Sequence, residues 1–143
     1  MYVIRNKRVF LLIDPPACDI LDREAPMSYT VLVVEDNPDI REILDITLSD
    51  AGFVVVAADT ARQAMQQLER LSRLDLVLAD FNLPDGRHLV PNLKKLRPEL
   101  PVIVLSGDAY SAQAALPQAD AVLGKPVTGP ALVKEVRRLL SAP

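Results

Sequence analysis

The chain has 143 residues, half of them hydrophobic, and a formal net charge of −3 at pH 7. This length suggests one domain with a sizeable core, while the acidic balance argues against direct binding to nucleic acid or to an anionic membrane surface. Because the single cysteine cannot form an internal disulfide, and because no apolar run approaches the roughly 20 residues of a membrane span, we expect a cytoplasmic protein.

The first 27 residues differ from the remainder of the chain. They contain three prolines and one short apolar run, Val9–Ile13, which is either an edge strand or a docking segment. Met27 immediately precedes the first strong strand pattern, so two explanations stay open. Residues 1–27 are a partly ordered N-terminal extension, or they are an artefact of the choice of start site. The predicted globular domain spans residues 28–143.

From Thr30 onward, short apolar runs alternate with amphipathic segments. The apolar runs predict five strands, at residues 31–34, 53–57, 75–79, 102–105 and 121–123. The intervening segments predict five helices, at about residues 38–50, 60–71, 87–96, 109–116 and 129–140. Strict alternation of strands and helices implies a parallel sheet with helices on both faces. The fold class is therefore α/β, with a doubly wound five-stranded parallel sheet.

Local signals set several helix boundaries. Asn37 can cap the first helix with Pro38 in its first position, and Gly52 suits its C-terminal end. Pro91 is awkward in the third helix unless that helix starts late or has an irregular first turn. The apolar face of the first helix is predicted to hold Ile40, Ile43, Leu44, Thr47 and Leu48.

Polar side chains follow four of the predicted strands. They are Glu35 and Asp36 after the first strand, Asp80 after the third, Ser106 after the fourth and Lys125 after the fifth. Ligands collect at the carboxyl ends of strands in open α/β sheets. Each of these residues alone is more simply a helix cap, a turn former or a solvated side chain. Together, at the ends of four strands, they predict one site.

The chemistry of this predicted site follows from its charges. Three adjacent carboxylates repel one another unless some are protonated or a cation neutralises them, and a set of oxygen ligands suits Mg²⁺. His88, the one histidine, lies on a predicted helix away from the cluster, which makes zinc an improbable metal. A carboxylate beside Mg²⁺, with an ammonium and a hydroxyl nearby, is the arrangement that an aspartyl-phosphate needs.

Residues 30–141 resemble the receiver domain of two-component response regulators, of the stand-alone type seen in the chemotaxis response regulator. The matching segments, in the same order as in the family, are Val31–Asn37, Asp80 with Leu83–Gly86, Leu105–Gly107 and Gly124–Pro126. The resemblance implies the flavodoxin-like receiver fold with strand order 2-1-3-4-5. It also implies a Lys125–Pro126 bond that is commonly cis.

The resemblance further implies a phosphorelay function. Asp80 would accept a phosphoryl group from a phosphohistidine of a sensor histidine kinase or a histidine phosphotransfer domain. Lys125 would bind the phosphoryl oxygens, and Ser106 would hydrogen-bond to them and pull its loop inward, which changes binding to a downstream effector protein. The chain would be a signalling phosphoacceptor that assists its own phosphorylation and dephosphorylation, not an enzyme with a separate substrate.

The metal ligands are likewise implied by the resemblance. Mg²⁺ would be held by Asp36, by Asp80, by Glu35 partly through water, and by the backbone carbonyl of Asn82. Polar groups at Asn82 and Asp108 flank the path of hydrolytic water in this family. They suggest a short-lived phosphoprotein, although two solvated loop residues explain them equally well.

Two departures from the family pattern are visible. Val122 occupies a position that is often aromatic, so a ring cannot switch rotamers there. Ser106 and Lys125 are 19 residues apart, about three fewer than the family pattern suggests, which predicts a shortened fourth helix and an altered partner face.

These departures motivate an alternative, a receiver-fold adaptor that binds partners without phosphorylation. A phosphohydrolase of the haloacid dehalogenase type is a weaker alternative. That family needs a second Asp two residues after the nucleophile, where this chain has Asn82.

Overall fold

The structure is a computed structural model that describes residues 2–5, 8–11 and 28–141. Most of the segment 1–27 lies outside these residues, so its origin stays a prediction. Within it, strands β1 (Tyr2–Arg5) and β2 (Arg8–Leu11) pair antiparallel in a two-stranded sheet of their own. The described part of the Val9–Ile13 run therefore does not join the larger sheet as an edge strand.

The larger sheet has five parallel strands in the order β4-β3-β5-β6-β7, which is 2-1-3-4-5 when this sheet is counted alone. Its strands are β3 (Thr30–Val34), β4 (Val54–Ala58), β5 (Leu76–Asp80), β6 (Val102–Ser106) and β7 (Ala121–Gly124). The helices are α1 (Pro38–Asp50), α2 (Ala61–Arg70), α3 (Leu89–Leu96), α4 (Ala109–Ala115) and α5 (Gly129–Ser141). The predicted doubly wound α/β fold is confirmed.

Two apolar clusters cover the two faces of this sheet. Alternate residues of β3 point in opposite directions, so Leu32 packs with Leu68 of α2 and Leu93 of α3, while Val33 packs with residues of α1 and α5. The three central strands are buried along their whole length. Burial on both faces explains why these strands appear in the sequence as continuous Val, Leu and Ile runs.

The residues that the sequence predicted at the ends of α1 and at the start of α3 take the expected conformations and contacts. The Asn37 side chain accepts hydrogen bonds from the backbone N–H groups of Asp39 and Ile40. Gly52 follows α1 with a φ of 99°, a conformation that favours glycine. Helix α3 starts at Leu89, so Pro91 lies in its first turn, where backbone N–H groups have no partner within the helix. Of the two possibilities that Pro91 left open, the structure shows the later start.

The predicted apolar face of α1 was wrong at one position. Leu44 and Leu48 are buried, but Ile43 is 61% exposed. Successive helical residues are about 100° apart, so Ile43 lies at the edge of the stripe centred on Leu44 and Leu48. Among the described residues, no helix has both the length and the apolar character needed to cross a membrane.

Truncation of a side chain to alanine should change the free energy of unfolding by different amounts on the two sides of α1. Leu48→Ala should lower the free energy of unfolding by about 2–5 kcal/mol, because the Leu48 side chain is fully buried and a cavity would remain. Ile43→Ala, on the same helix, should lower it by less than about 1 kcal/mol. Urea unfolding followed by circular dichroism measures both. Equal losses would contradict this assignment of the buried face.

Candidate functional site

Three carboxylates meet at one edge of the sheet. Glu35 and Asp36 directly follow β3, and Asp80 is the last residue of β5, the strand paired with β3. One oxygen of each carboxylate lies within 4.8 Å of the others. Glu35 and Asp80 are buried, whereas Asp36 is exposed. The predicted convergence of these residues is confirmed by the geometry.

Lys125 enters this cluster from the end of β7. Its Nζ lies 2.9 Å from Oδ1 of Asp80 and 3.6 Å from Oε2 of Glu35. Its backbone N–H donates to the carbonyl of Ser106 at 2.7 Å, and the bond to Pro126 is cis, as expected. Burial lowers the pKa of the Lys125 ammonium, but the hydrogen bond to Asp80 and the charges of Asp80 and Glu35 outweigh burial and raise that pKa. The lysine is therefore a cation at neutral pH.

The Glu35 carboxylate is only partly satisfied. Its Oε1 accepts a hydrogen bond from the backbone N–H of Asn37 at 3.2 Å, but its buried Oε2 has no hydrogen-bond partner. Burial raises the pKa of Glu35 and the charge of Asp80 adds to this rise, while the Asn37 N–H and Lys125 oppose it. A buried acceptor that has no hydrogen bond lowers the free energy of unfolding, because it has given up its hydrogen bonds to water.

Among the described residues, the Lys125 ammonium is the cation paired with these carboxylates, and Oε2 of Glu35 accepts no hydrogen bond, which leaves the three carboxylates with an excess of negative charge. A hard divalent cation with oxygen ligands would offset this excess. The residues of this edge therefore fit Mg²⁺. His88 lies at the start of α3 and is not part of the acidic group.

The two oxygens of Asp80 differ in their surroundings. Oδ1 accepts hydrogen bonds from Nζ of Lys125 at 2.9 Å and from the backbone N–H of Asn82 at 3.3 Å. Oδ2 accepts no hydrogen bond from the described residues. The protein thus orients the carboxylate through one oxygen and leaves the other available to a ligand. The role of the Asn82 carbonyl as a metal ligand stays a prediction.

Ser106 ends β6 beside this cluster, but its hydroxyl is engaged elsewhere. Its Oγ accepts from the backbone N–H of Asp108 and donates to the carbonyl of the same residue, both at 3.0 Å. The side chain is buried. Contact between Ser106 and a phosphoryl group on Asp80 would therefore require this local pair of hydrogen bonds to open.

Asp108 serves as a helix cap. Its carboxylate accepts from the backbone N–H of Ser111 at 3.1 Å and from the Ser111 hydroxyl at 2.6 Å. These hydrogen bonds lower the pKa of Asp108. These contacts hold the Asp108 carboxylate at the start of α4. The role of Asn82 and Asp108 in orienting hydrolytic water stays a prediction.

Sequence reasoning missed the contact made by Asp85. It treated this residue as part of a turn, but the Asp85 carboxylate accepts hydrogen bonds from the backbone N–H groups of Ala61 at 2.9 Å and Arg62 at 3.1 Å. The hydrogen bond from Ala61 is the main reason that the pKa of Asp85 is lowered. The turn itself requires glycine at Gly86, where an added Cβ would lie 2.6 Å from Cβ of Leu83.

Both predicted departures have structural counterparts. Helix α4 is short, with seven residues. Val122 is half-buried in β7, opposite Val104 of β6, and packs against the cluster that includes Leu93. Tyr110 of α4 is 86% exposed, so the surface next to β7 presents a tyrosine from the helix instead of an aromatic residue from the strand.

Comparison with known proteins agrees with this geometry. The family model described as the response regulator receiver domain matches residues 31–137. The transcriptional regulatory protein GlrR of Escherichia coli (strain K12) is 33% identical over 111 residues, which cover 74% of this chain and 25% of GlrR. The chain therefore spans about a quarter of the length of this curated relative.

Two solved structures extend the similarity to the fold. The chemotaxis protein CheY4 of Vibrio cholerae is 27% identical with a TM-score of 0.72, and the match covers 80% of this chain and 100% of CheY4. The response regulator TrrA of Thermotoga maritima, solved in complex with Mg²⁺-BeF, is 26% identical with a TM-score of 0.72, and the match covers 78% of this chain and 99% of TrrA. With its acidic edge, its lysine and its parallel sheet, the chain belongs to the response regulator receiver domain family.

Proposed function

We propose that the chain is a Mg²⁺-dependent phosphoacceptor in a two-component phosphorelay and that Asp80 receives the phosphoryl group. The donor is a phosphohistidine of a sensor histidine kinase or of a histidine phosphotransfer domain. The observation that carries this proposal is the asymmetry of the Asp80 carboxylate. Lys125 and the Asn82 N–H hold Oδ1, while Oδ2 accepts no hydrogen bond from the described residues.

In this proposal Oδ2 of Asp80 attacks phosphorus while the phosphorus–nitrogen bond of the donor breaks. Lys125 holds the carboxylate in place through Oδ1, and its ammonium lies close enough to attract the incoming phosphoryl oxygens. Burial of Asp80 at the end of β5 limits access to a donor that enters along the sheet edge. The protein's contribution is orientation and charge, which are the main requirements of phosphoryl transfer.

The metal in this proposal is held by Asp36, by Asp80, by Glu35 partly through water and by the backbone carbonyl of Asn82. Mg²⁺ would offset the negative charge of the carboxylates and of the phosphoryl group as they come together. The lack of a hydrogen bond at Oε2 of Glu35 and the close approach of the three carboxylates support it. The complex of the relative TrrA with Mg²⁺-BeF supports it independently.

The output in this proposal is a change in binding to an effector protein. Ser106 releases its two hydrogen bonds to the Asp108 backbone and binds the phosphoryl group, which moves the start of α4. The relative GlrR is a transcriptional regulatory protein, but the net charge of −3 gives this receiver domain no electrostatic attraction to DNA. We therefore propose that the effector of this receiver domain is a protein. In this proposal the receiver domain acts as a single-domain switch.

A phosphorylation-independent adaptor is the second candidate. Val122 removes an aromatic switch from β7, and Ser106 is already satisfied by its own loop. Both features are compatible with a receiver fold that binds partners in one state only.

The phosphoacceptor proposal predicts the result of incubation with acetyl phosphate or phosphoramidate and Mg²⁺. Intact mass measurement should show a gain of one phosphoryl group in the wild type, and hydroxylamine should remove it. Asp80→Asn keeps the size of the side chain and should show no gain, because the amide is a poor nucleophile. If the wild type shows no gain and also binds no Mg²⁺, the adaptor becomes the better assignment.

Neutralising Glu35 should stabilise the metal-free protein. The pKa of Glu35 is raised above its ordinary value of 4.5, so its charge is less favourable in the folded state and stability is lost as the pH rises above that value. Glu35→Gln should therefore raise the melting temperature at pH 7 in EDTA by a few degrees. The advantage should vanish when the pH falls below about 4.5, where the unfolded carboxyl is also protonated.

Added Mg²⁺ should reverse the order of the two melting temperatures, so that the wild type melts above the Glu35→Gln variant. At a hundredfold excess over its Kd, Mg²⁺ should stabilise the wild type by about 2.7 kcal/mol, whereas the Glu35→Gln variant has lost a negative charge and should gain less. Calorimetric melting with and without Mg²⁺ at the two pH values tests both statements. An unchanged melting temperature for the variant in EDTA would show that the Glu35 charge is not a source of instability.

A further inference from the structure

We infer that Asp85 is a positioning residue, which ties the loop 81–86 to the N-terminus of α2 and thereby fixes the Asn82 backbone beside Asp80. This inference rests on the proposed function, because it concerns the loop that would supply a metal ligand. It gives a structural role at the site to a residue that otherwise marks only the end of a turn.

The loop is held at its start by the phosphoacceptor strand and its neighbour. The Phe81 N–H donates to the carbonyl of Leu105 at 2.8 Å, and the Asn82 N–H donates to Oδ1 of Asp80 at 3.3 Å. Leu83 then enters the core and is buried. These contacts attach the start of the loop to β5 and β6, but they do not connect the loop to α2.

Asp85 makes that connection at the other end of the loop. Its two oxygens accept hydrogen bonds from consecutive backbone N–H groups, of Ala61 at 2.9 Å and Arg62 at 3.1 Å. A carboxylate at a helix N-terminus is favoured both by the free N–H groups and by the helix dipole. The Asp85 tether is therefore formed by two charge-assisted hydrogen bonds across 24 and 23 positions of sequence.

Helix α2 is a firm anchor for this tether. Ala61, Ala64 and Leu68 are buried against the sheet. Thr60 caps the same helix end independently, since its side chain accepts from the backbone N–H of Gln63 at 3.0 Å. The first turn of α2 thus has two capping residues, of which only Asp85 belongs to the loop that follows Asp80.

This arrangement supplies a matched pair of variants. Asp85→Ala and Thr60→Ala each remove a side-chain cap from α2, but only Asp85→Ala releases the loop. If Asp85 positions the loop, its loss should affect the metal site, whereas loss of Thr60 should affect only the helix. Residues that orient metal ligands from outside the ligand set typically change metal affinity by about 10–100-fold.

The experiment uses the full chain and isothermal titration with Mg²⁺ at low ionic strength. Asp85→Ala should weaken Mg²⁺ binding by about tenfold, whereas Thr60→Ala should bind with the affinity of the wild type. Asp85→Asn retains one oxygen acceptor and should fall between the two. Thermal melting of the metal-free proteins should show that both alanine variants fold and lose some stability.

Amide hydrogen exchange without metal provides a second readout. Exchange at Asn82, Leu83, Ala61 and Arg62 should become faster in Asp85→Ala, while in Thr60→Ala the faster exchange should be confined to α2. This measurement needs neither Mg²⁺ nor a phosphoryl donor. It therefore tests the tether even if the wild type fails to bind Mg²⁺ or to accept a phosphoryl group, which would count against the proposed function alone.

Three results would each overturn the inference. Equal Mg²⁺ affinities in the wild type and in Asp85→Ala, or unchanged exchange at Asn82 and Leu83 in that variant, would reduce Asp85 to a helix cap. Equal weakening of Mg²⁺ binding in Asp85→Ala and Thr60→Ala would mean that α2 stability, not the loop, controls the site.

Discussion

The ion pair between Lys125 and Asp80 is the interaction on which the site depends. It joins the end of β7 to the end of β5 across the intervening strand β6, with Nζ 2.9 Å from Oδ1. Without it, the three carboxylates would face one another at this edge with no ion pair to a cation from the described residues. One ammonium offsets only part of that charge, so the same edge suits a divalent cation. In the proposed function it would also orient Asp80 for phosphoryl transfer.

The loops around this edge are more constrained than their polar composition suggests. Asp108 caps α4, Asp85 caps α2, and Ser106 is closed in a local pair of hydrogen bonds. Opening the Ser106 pair would cost about 1 kcal/mol for each neutral hydrogen bond. In the proposed switch, a hydrogen bond from the Ser106 hydroxyl to a charged phosphoryl oxygen would be roughly twice as strong as a neutral one, so it would about offset the loss of this pair.

The surface next to β7 carries both departures from the family pattern that the sequence indicated. Helix α4 has seven residues, Val122 is half-buried, and Tyr110 projects from the helix with 86% of its surface exposed. A movement of the Ser106 loop would displace the start of α4 directly, because Asp108 belongs to both. Signal transmission through backbone displacement therefore needs no aromatic ring in β7.

The sequence alone determined the alternation of strands and helices, the caps at Asn37 and Gly52, and the set of polar residues that follow the strands, because each depends on a local pattern or on the common edge of a parallel sheet. The tertiary structure decided which groups pair. It exposed Ile43, left Oε2 of Glu35 without a hydrogen bond, turned the Ser106 hydroxyl toward Asp108 and joined Asp85 to α2. Periodicity cannot specify such contacts, because they depend on the register of strands and on distances between segments far apart in the chain.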